Sequence, residues 1–255
     1  MTDKQAPLDF GRALRFFFED PKWVTKIILG GLFTMLSIFL VGTFFVAGYV
    51  VGITRRTARG ESQPLPEWDD LGTLFVDGAR ALAVYLGHLI PLGILATVLA
   101  LAVGGVFQSE NAPDSLRVMA MLIVFAGYVL VTLASIAVLL YLPAAFTRFV
   151  VQDKVAAAFD VRENLLFIKR NLTNYGLALL AILAASFLSQ FGVILFCIGI
   201  FPASFWSSSV LGFVLGEVVL KDPGSNSGSN SEPGKTPTTP PTTDSGGASY
   251  TEFLP

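Results

Sequence analysis

The chain has 255 residues, 53% of them hydrophobic and only 14% charged, with a formal net charge of −2 and a mean hydropathy of +0.65. A soluble domain carries roughly a quarter charged residues, so this composition excludes a purely water-soluble fold and assigns the chain to a bilayer. The near-neutral balance leaves no electrostatic footprint for nucleic acid, and a lone cysteine, Cys197, can form neither an internal disulfide nor a thiolate metal cage.

From the N-terminus, "LDFGRALRFFFEDPKW" places Phe10, Leu14 and Phe17 at helical spacing with Arg12, Arg15 and Glu19 off that face, which predicts an interfacial amphipathic helix over 8–19. Pro21 breaks it, and Trp23 suits headgroup depth. A first apolar run follows, Ile27 to Ile53. The acidic stretch "LPEWDDLGTLFVDG", Leu65 to Gly78, then separates it from runs at Leu82 to Phe107 and Val118 to Pro143. A second amphipathic helix is predicted next, with Val161, Leu165, Ile168 and Leu172 on one face and Arg162, Glu163, Lys169 and Arg170 off it. Runs over 177–201 and 203–220 complete the membrane domain of residues 1–221, with Pro202 opening the last helix. Each run is near or above the roughly 20 residues that cross a bilayer as helix. Backbone groups in lipid must be bonded internally, so the expected fold is all-α. From Asp222 to Pro255 the Ser, Thr, Pro and Gly content predicts a disordered tail.

Basic residues favour the cytoplasmic side of spans. If every run crosses once, six of the 17 Lys and Arg lie on one side and eleven on the other. If the first run instead forms a helical hairpin over 22–59, sixteen share one face and only Arg117 opposes them. The 28 uncharged residues between Lys26 and Arg55 are few for two full crossings, so such a hairpin is re-entrant or gains depth by snorkelling. The charge rule favours the hairpin, followed by four transmembrane helices, with the N-terminus and tail cytoplasmic and the chain multi-pass in the cell membrane.

That topology puts Glu67, Trp68, Asp69, Asp70 and Asp77 on the cytoplasmic face. The simplest account is a helix opened at Pro66, with Glu67, Asp69 and Asp70 in a first turn where the macrodipole favours anions. Two alternatives remain open: pairing with "RRTAR" at Arg55 to Arg59, and a hard-cation site. His88 has no second histidine or intramembrane acid at helical spacing and reads as structural. Glu217 has Lys221 four residues on, which predicts an ion pair at the span's end. The sequon at Asn171 is read as accidental. Ser204, Ser208, Gly212 and Gly216 recur every fourth residue, as Gly48 and Gly52 do. Such faces let helices approach closely in lipid, either within one chain or as a homo-oligomer seam. No nucleophile elbow, phosphate loop or Cys/His cluster occurs, so no enzyme activity, cofactor or metal is expected.

"EDPKW" at Glu19 to Trp23, "GYVVGITRRTARGE" at Gly48 to Glu61, "LPEWDDLGTLFVDGARAL" at Leu65 to Leu82 and "IGIFPASFWSSSVLGFVLGE" at Ile198 to Glu217 resemble a prokaryotic membrane family, domain of unknown function 4013. The resemblance runs from about Asp9 to Glu217 and implies a multi-spanning helical protein with no assigned catalytic or binding residues. The expected role is a non-enzymatic scaffold or assembly protein with a cytoplasmic partner-recruiting face, bound to the lipid bilayer. A transporter or permease subunit is the alternative. Transport would call for ionisable groups at a midplane cavity and matching broken helices, of which Pro91 and Gly93 supply one.

Overall fold

The computed structural model describes residues 7–109, 111, 113–194 and 199–223. Cys197 and the tail from residue 224 lie outside these. The described residues form helices and connecting turns, with no strand among them. The helices are α1 (Phe10–Arg15), α2 (Trp23–Leu36), α3 (Val41–Ala58), α4 (Leu71–Gln108), α5 (Asp114–Gln152), α6 (Val161–Arg170), α7 (Leu172–Gln190) and α8 (Ile200–Leu220). Among the described residues four segments are long and apolar enough to cross a membrane: α4, α5, α7 with its extension to Ile194, and α8.

The first apolar run turns back on itself. Between α2 and α3 the chain passes through a short 3-10 turn and then Leu40, whose backbone is left-handed at φ 66°. Gly42 sits where a Cβ would strike the Phe33 carbonyl and the Ser37 amide, so only glycine permits this reversal. The open ends of both arms meet one atom, the Leu65 carbonyl, which accepts from Lys26 Nζ at 3.1 Å and Arg56 Nη1 at 3.3 Å. With 14 residues, α2 is about 21 Å long, short of a core of about 30 Å.

α3 lies at the centre. Gly48 takes the Leu74 backbone of α4, and Gly78 of α4 takes the Phe44 carbonyl, so the two main chains nearly touch. On its other side α3 meets Gly212 and Gly216 of α8. In the most apolar windows of α4 and α5 only 6% of residues are buried, against 61% in α8. α8 is therefore enclosed by protein, while the far halves of α4 and α5 stand out as a lipid-facing pair.

Several expected boundaries and faces are corrected. The N-terminal amphipathic helix spends its apolar side on protein: Phe16 stacks on Phe213 with ring centres 4.1 Å apart, and Ala13 and Phe17 are fully buried. Its axis, continued to Glu19, makes a 97° bend with α2. Asp20 holds the corner, its carboxylate accepting from the Lys22 N–H at 2.7 Å. α4 begins at Leu71, eleven residues before the predicted span over 82–107, because Asp70 caps it. α5 runs nine residues past the predicted end at Pro143; a proline removes one helix hydrogen bond, and tertiary packing of Ala144 to Val150 outweighs that here. α6 buries Asn164 and Phe167 and leaves Val161 and Leu165 exposed, as expected of a helix lying along the interface, while Ile168 of the same predicted face packs against the core. Asn171 is buried and donates to the Phe167 carbonyl at 3.0 Å, which closes the sequon.

Candidate functional site

The acidic stretch is a wedge before it is a helix. Pro64 and Pro66 keep the backbone out of the helical region by restricting each preceding residue, and Leu65 is almost wholly buried between the hairpin arms. Tyr49 donates its hydroxyl to the Pro66 carbonyl at 3.0 Å. Trp68 then slides between Phe33 of α2 and Tyr49 of α3, stacked on both, at 4.8 Å and 13° and at 4.5 Å and 17°. Phe205 of α8 closes the cluster at 5.8 Å. Two flat contacts on one indole join the two arms of the hairpin.

The four acids have separate duties. Glu67 and Asp69 are not in a helical first turn, as the sequence suggested, because the wedge delays the helix to Leu71. Glu67 instead meets Lys26 at 3.2 Å and Lys22 at 3.5 Å. Lys26 is 2% exposed and also binds Asp20 at 2.8 Å, so its three donors are all used. Asp69 is exposed. Asp70 is the helix cap, accepting from the Thr73 N–H at 3.0 Å. The Thr73 hydroxyl and N–H hold its carboxyl below the usual carboxylate range. Asp77 lies about two helical turns further on, buried, and binds Arg55 at 2.8 Å. Three of these carboxylates therefore divide between a cap and ion pairs, and Asp69 stands exposed. Among the described residues no three of His, Cys, Asp and Glu are grouped to hold a metal ion.

Arg55 is the centre of a network of which the sequence offered one part, the pairing of the acidic stretch with "RRTAR", here Asp77 with Arg55; Arg80 and Asp153 were not foreseen. Besides Asp77, Arg55 reaches Asp153 at 3.4 Å, and Arg80 of α4 reaches the same Asp153 oxygen at 3.4 Å. Ninety-eight residues separate Arg55 from Asp153, and only the pairing of α3, α4 and α5 brings them together. An available signal was the spacing of Asp77 and Arg80, which puts both on one helix face. The network borders a cleft of about 540 Å³ lined by Arg55, Arg59, Thr73, Arg80 and Val151 among others.

The other singled-out residues are placed as follows. A Cβ on Gly212 would meet the Val50 carbonyl at 2.9 Å, and one on Gly216 the Thr54 carbonyl at 2.8 Å, so both are engaged by α3 of the same chain. Ser204 and Ser208 are half-buried, and Ser208 donates to the Ser204 carbonyl at 2.9 Å. Gly52 packs on Pro66 of the wedge. His88 stacks on Phe159 at 4.7 Å, its Nδ1 2.8 Å from the Val84 carbonyl. Glu217 pairs with Lys221 at 3.5 Å and also lies 3.9 Å from Arg12 of α1.

No curated protein matches the chain, and no solved structure does. A family model described as protein of unknown function, DUF4013, matches residues 32–198. The matched span holds the hairpin's second arm, the wedge with its Pro66-Glu67-Trp68-Asp69-Asp70 motif, and the Arg55, Asp77, Arg80 and Asp153 network. It leaves out α1, the Asp20 corner and α8. Since the match covers well over half of the 255 residues, the chain belongs to the DUF4013 family.

Proposed function

We propose that this protein is a non-enzymatic scaffold or assembly protein of the cell membrane, and that its polar end faces the cytoplasm and recruits a protein partner. The observation that carries the reading is the segregation of charge. Arg55, Asp77, Arg80 and Asp153 meet at one end of the helices. Lys221 at the end of α8 reaches the Pro7 carbonyl at 3.1 Å, and Leu220 lies beside Gly60, so the N-terminal segment and the end of α3 belong to that same end. Between Ala81 and Ser109, and between Val118 and Thr147, the sequence has no Asp, Glu, Lys or Arg. Basic side chains concentrated on one side favour the cytoplasmic face. There the ion pairs brace a surface of helix ends and turns, a platform rather than a path through the bilayer.

The test joins two measurements on the full chain. A photo-crosslinking residue at Asp69 or Arg162 is expected to capture the same protein reproducibly in cells, and one at Ser115 to capture none of it. Reconstituted vesicles are expected to show no protein-dependent solute flux. Flux that tracks the amount of protein, with no adduct specific to Asp69 or Arg162, would replace the scaffold by a transporter.

A further inference from the structure

In the cleft at the polar end, arginines from two helices converge on one of the protein's own carboxylates. Arg55 of α3 and Arg80 of α4 approach from different helices, and a nitrogen of each is 3.4 Å from the same oxygen, Oδ1 of Asp153. That contact is long beside a charge-assisted hydrogen bond of about 2.8 Å, and Asp153 is 63% exposed. Asp77, by contrast, binds Arg55 at 2.8 Å and is 8% exposed. Arg55 is thus aimed into the cleft by a firm buried partner, while the carboxylate in front of it is loosely held. Asp153 ends α5 with a left-handed backbone at φ 52°, an uncommon conformation that Asp adopts more readily than most residues. The chain turns there to bring this carboxylate between the two guanidinium groups.

A carboxylate offers such a site two oxygens in one plane. A phosphate group offers three or more in a tetrahedral array, which suits guanidinium groups arriving from several directions. Arg59, 66% exposed, and Thr73 line the same cleft, and Ala58, Val150, Val151 and Val219 form an apolar wall. A cationic floor beside an apolar wall matches a phosphate attached to a less polar body. We propose that the cleft is a phosphate-binding site, which takes the phosphate of an anionic phospholipid headgroup or a free phosphate, and that the Asp153 carboxylate is the resident stand-in that the ligand displaces.

The full-length protein in a mild non-ionic detergent provides the test. Its thermal midpoint is followed during titration with inorganic phosphate, with dihexanoyl phosphatidylglycerol and with dihexanoyl phosphatidylcholine, ionic strength being held with chloride. A saturable rise with phosphatidylglycerol alone assigns the site to a lipid headgroup, and one that inorganic phosphate reproduces assigns it to the free group. Asp153→Asn keeps a residue tolerant of the left-handed backbone and removes the competing charge. It should lower the half-saturating concentration by roughly two- to tenfold. Arg80→Gln should raise it by roughly tenfold or more. The proposal is overturned if neither ligand gives a saturable rise, if phosphatidylcholine is as effective as phosphatidylglycerol, or if Asp153→Asn leaves the half-saturating concentration unchanged. The Asp153→Asn result stands even if Arg80→Gln proves too unstable to titrate.

Discussion

Trp68 shows how much one side chain can decide. Its indole is stacked by Phe33 and Tyr49, yet its Nε1 is buried without an acceptor. Shape and area therefore matter here more than the N–H. Trp68→Ala is expected to cost about 3–5 kcal/mol, read as a fall in the thermal midpoint in detergent, and Trp68→Phe should retain most of the stability. Equal losses would mean that a smaller ring in the same slot does not substitute for the indole, and that stacking as such is not what stabilises the wedge. Lys26 poses the complementary case of a buried charge. Lys26→Met leaves the Asp20 carboxylate enclosed and is expected to cost about 3–5 kcal/mol. Adding Asp20→Asn should recover part of that, since the stranded charge is then gone, and a double variant as weak as the single would contradict this account. At Asp70 the prediction concerns pH. Its folded carboxyl lies below the ordinary aspartate value of 3.8, so its stabilisation is present above 3.8 and is lost as pH falls through the lower, folded value. The stability gap between wild type and Asp70→Ala should narrow over that acidic window, and a gap constant with pH would mean that the Thr73 cap does not depend on the carboxylate's charge.

At the scale of elements, close approach is the recurring device. Lipid offers helices no hydrophobic drive to associate, so contact must come from backbones brought near through small residues. α3 uses this against α4 through Gly48 and Gly78, and against α8 through Gly212 and Gly216. Gly212→Leu inserts a side chain where the Val50 carbonyl and Ile53 already stand, and should lower stability by about 1–3 kcal/mol. Gly93 in the exposed half of α4 has nothing within 4 Å of its would-be Cβ, so Gly93→Ala should be neutral or slightly stabilising. A pair of variants with matching midpoints would remove the α3–α8 contact from the account of stability. The length of α4 and α5, 38 and 39 residues, has a related origin. At about 1.5 Å per residue each is nearly 60 Å long, so their ends beyond the bilayer are free to build the polar end with Arg55.

For the whole molecule, the hairpin sets the topology. A single cysteine at Thr2 or Gly60 in a Cys197→Ser background should be spared by an impermeant maleimide in intact cells, and one at Ser115 should be modified. Labelling at Gly60 but not at Thr2 would mean that the first apolar run crosses the membrane, contrary to the shared contact of Lys26 and Arg56 with the Leu65 carbonyl.

The sequence alone determined the helical class, the four long spans and the likeness to the family, because bilayer solvation acts on composition and run length and needs no knowledge of neighbours. The distribution of Lys and Arg also pointed to the hairpin, since charge asymmetry is summed along the chain. Only the tertiary structure decided what the acidic stretch does. Glu67 could as well have served a helix dipole; it meets Lys22 and Lys26 because Leu65 to Trp68 enters between α2 and α3. The pairing of Arg55 with Asp153 was likewise invisible, as was the engagement of Gly212 and Gly216 by α3 rather than by a second chain. Spacing tells which residues share a face; which face meets which is settled by packing between segments far apart in the chain.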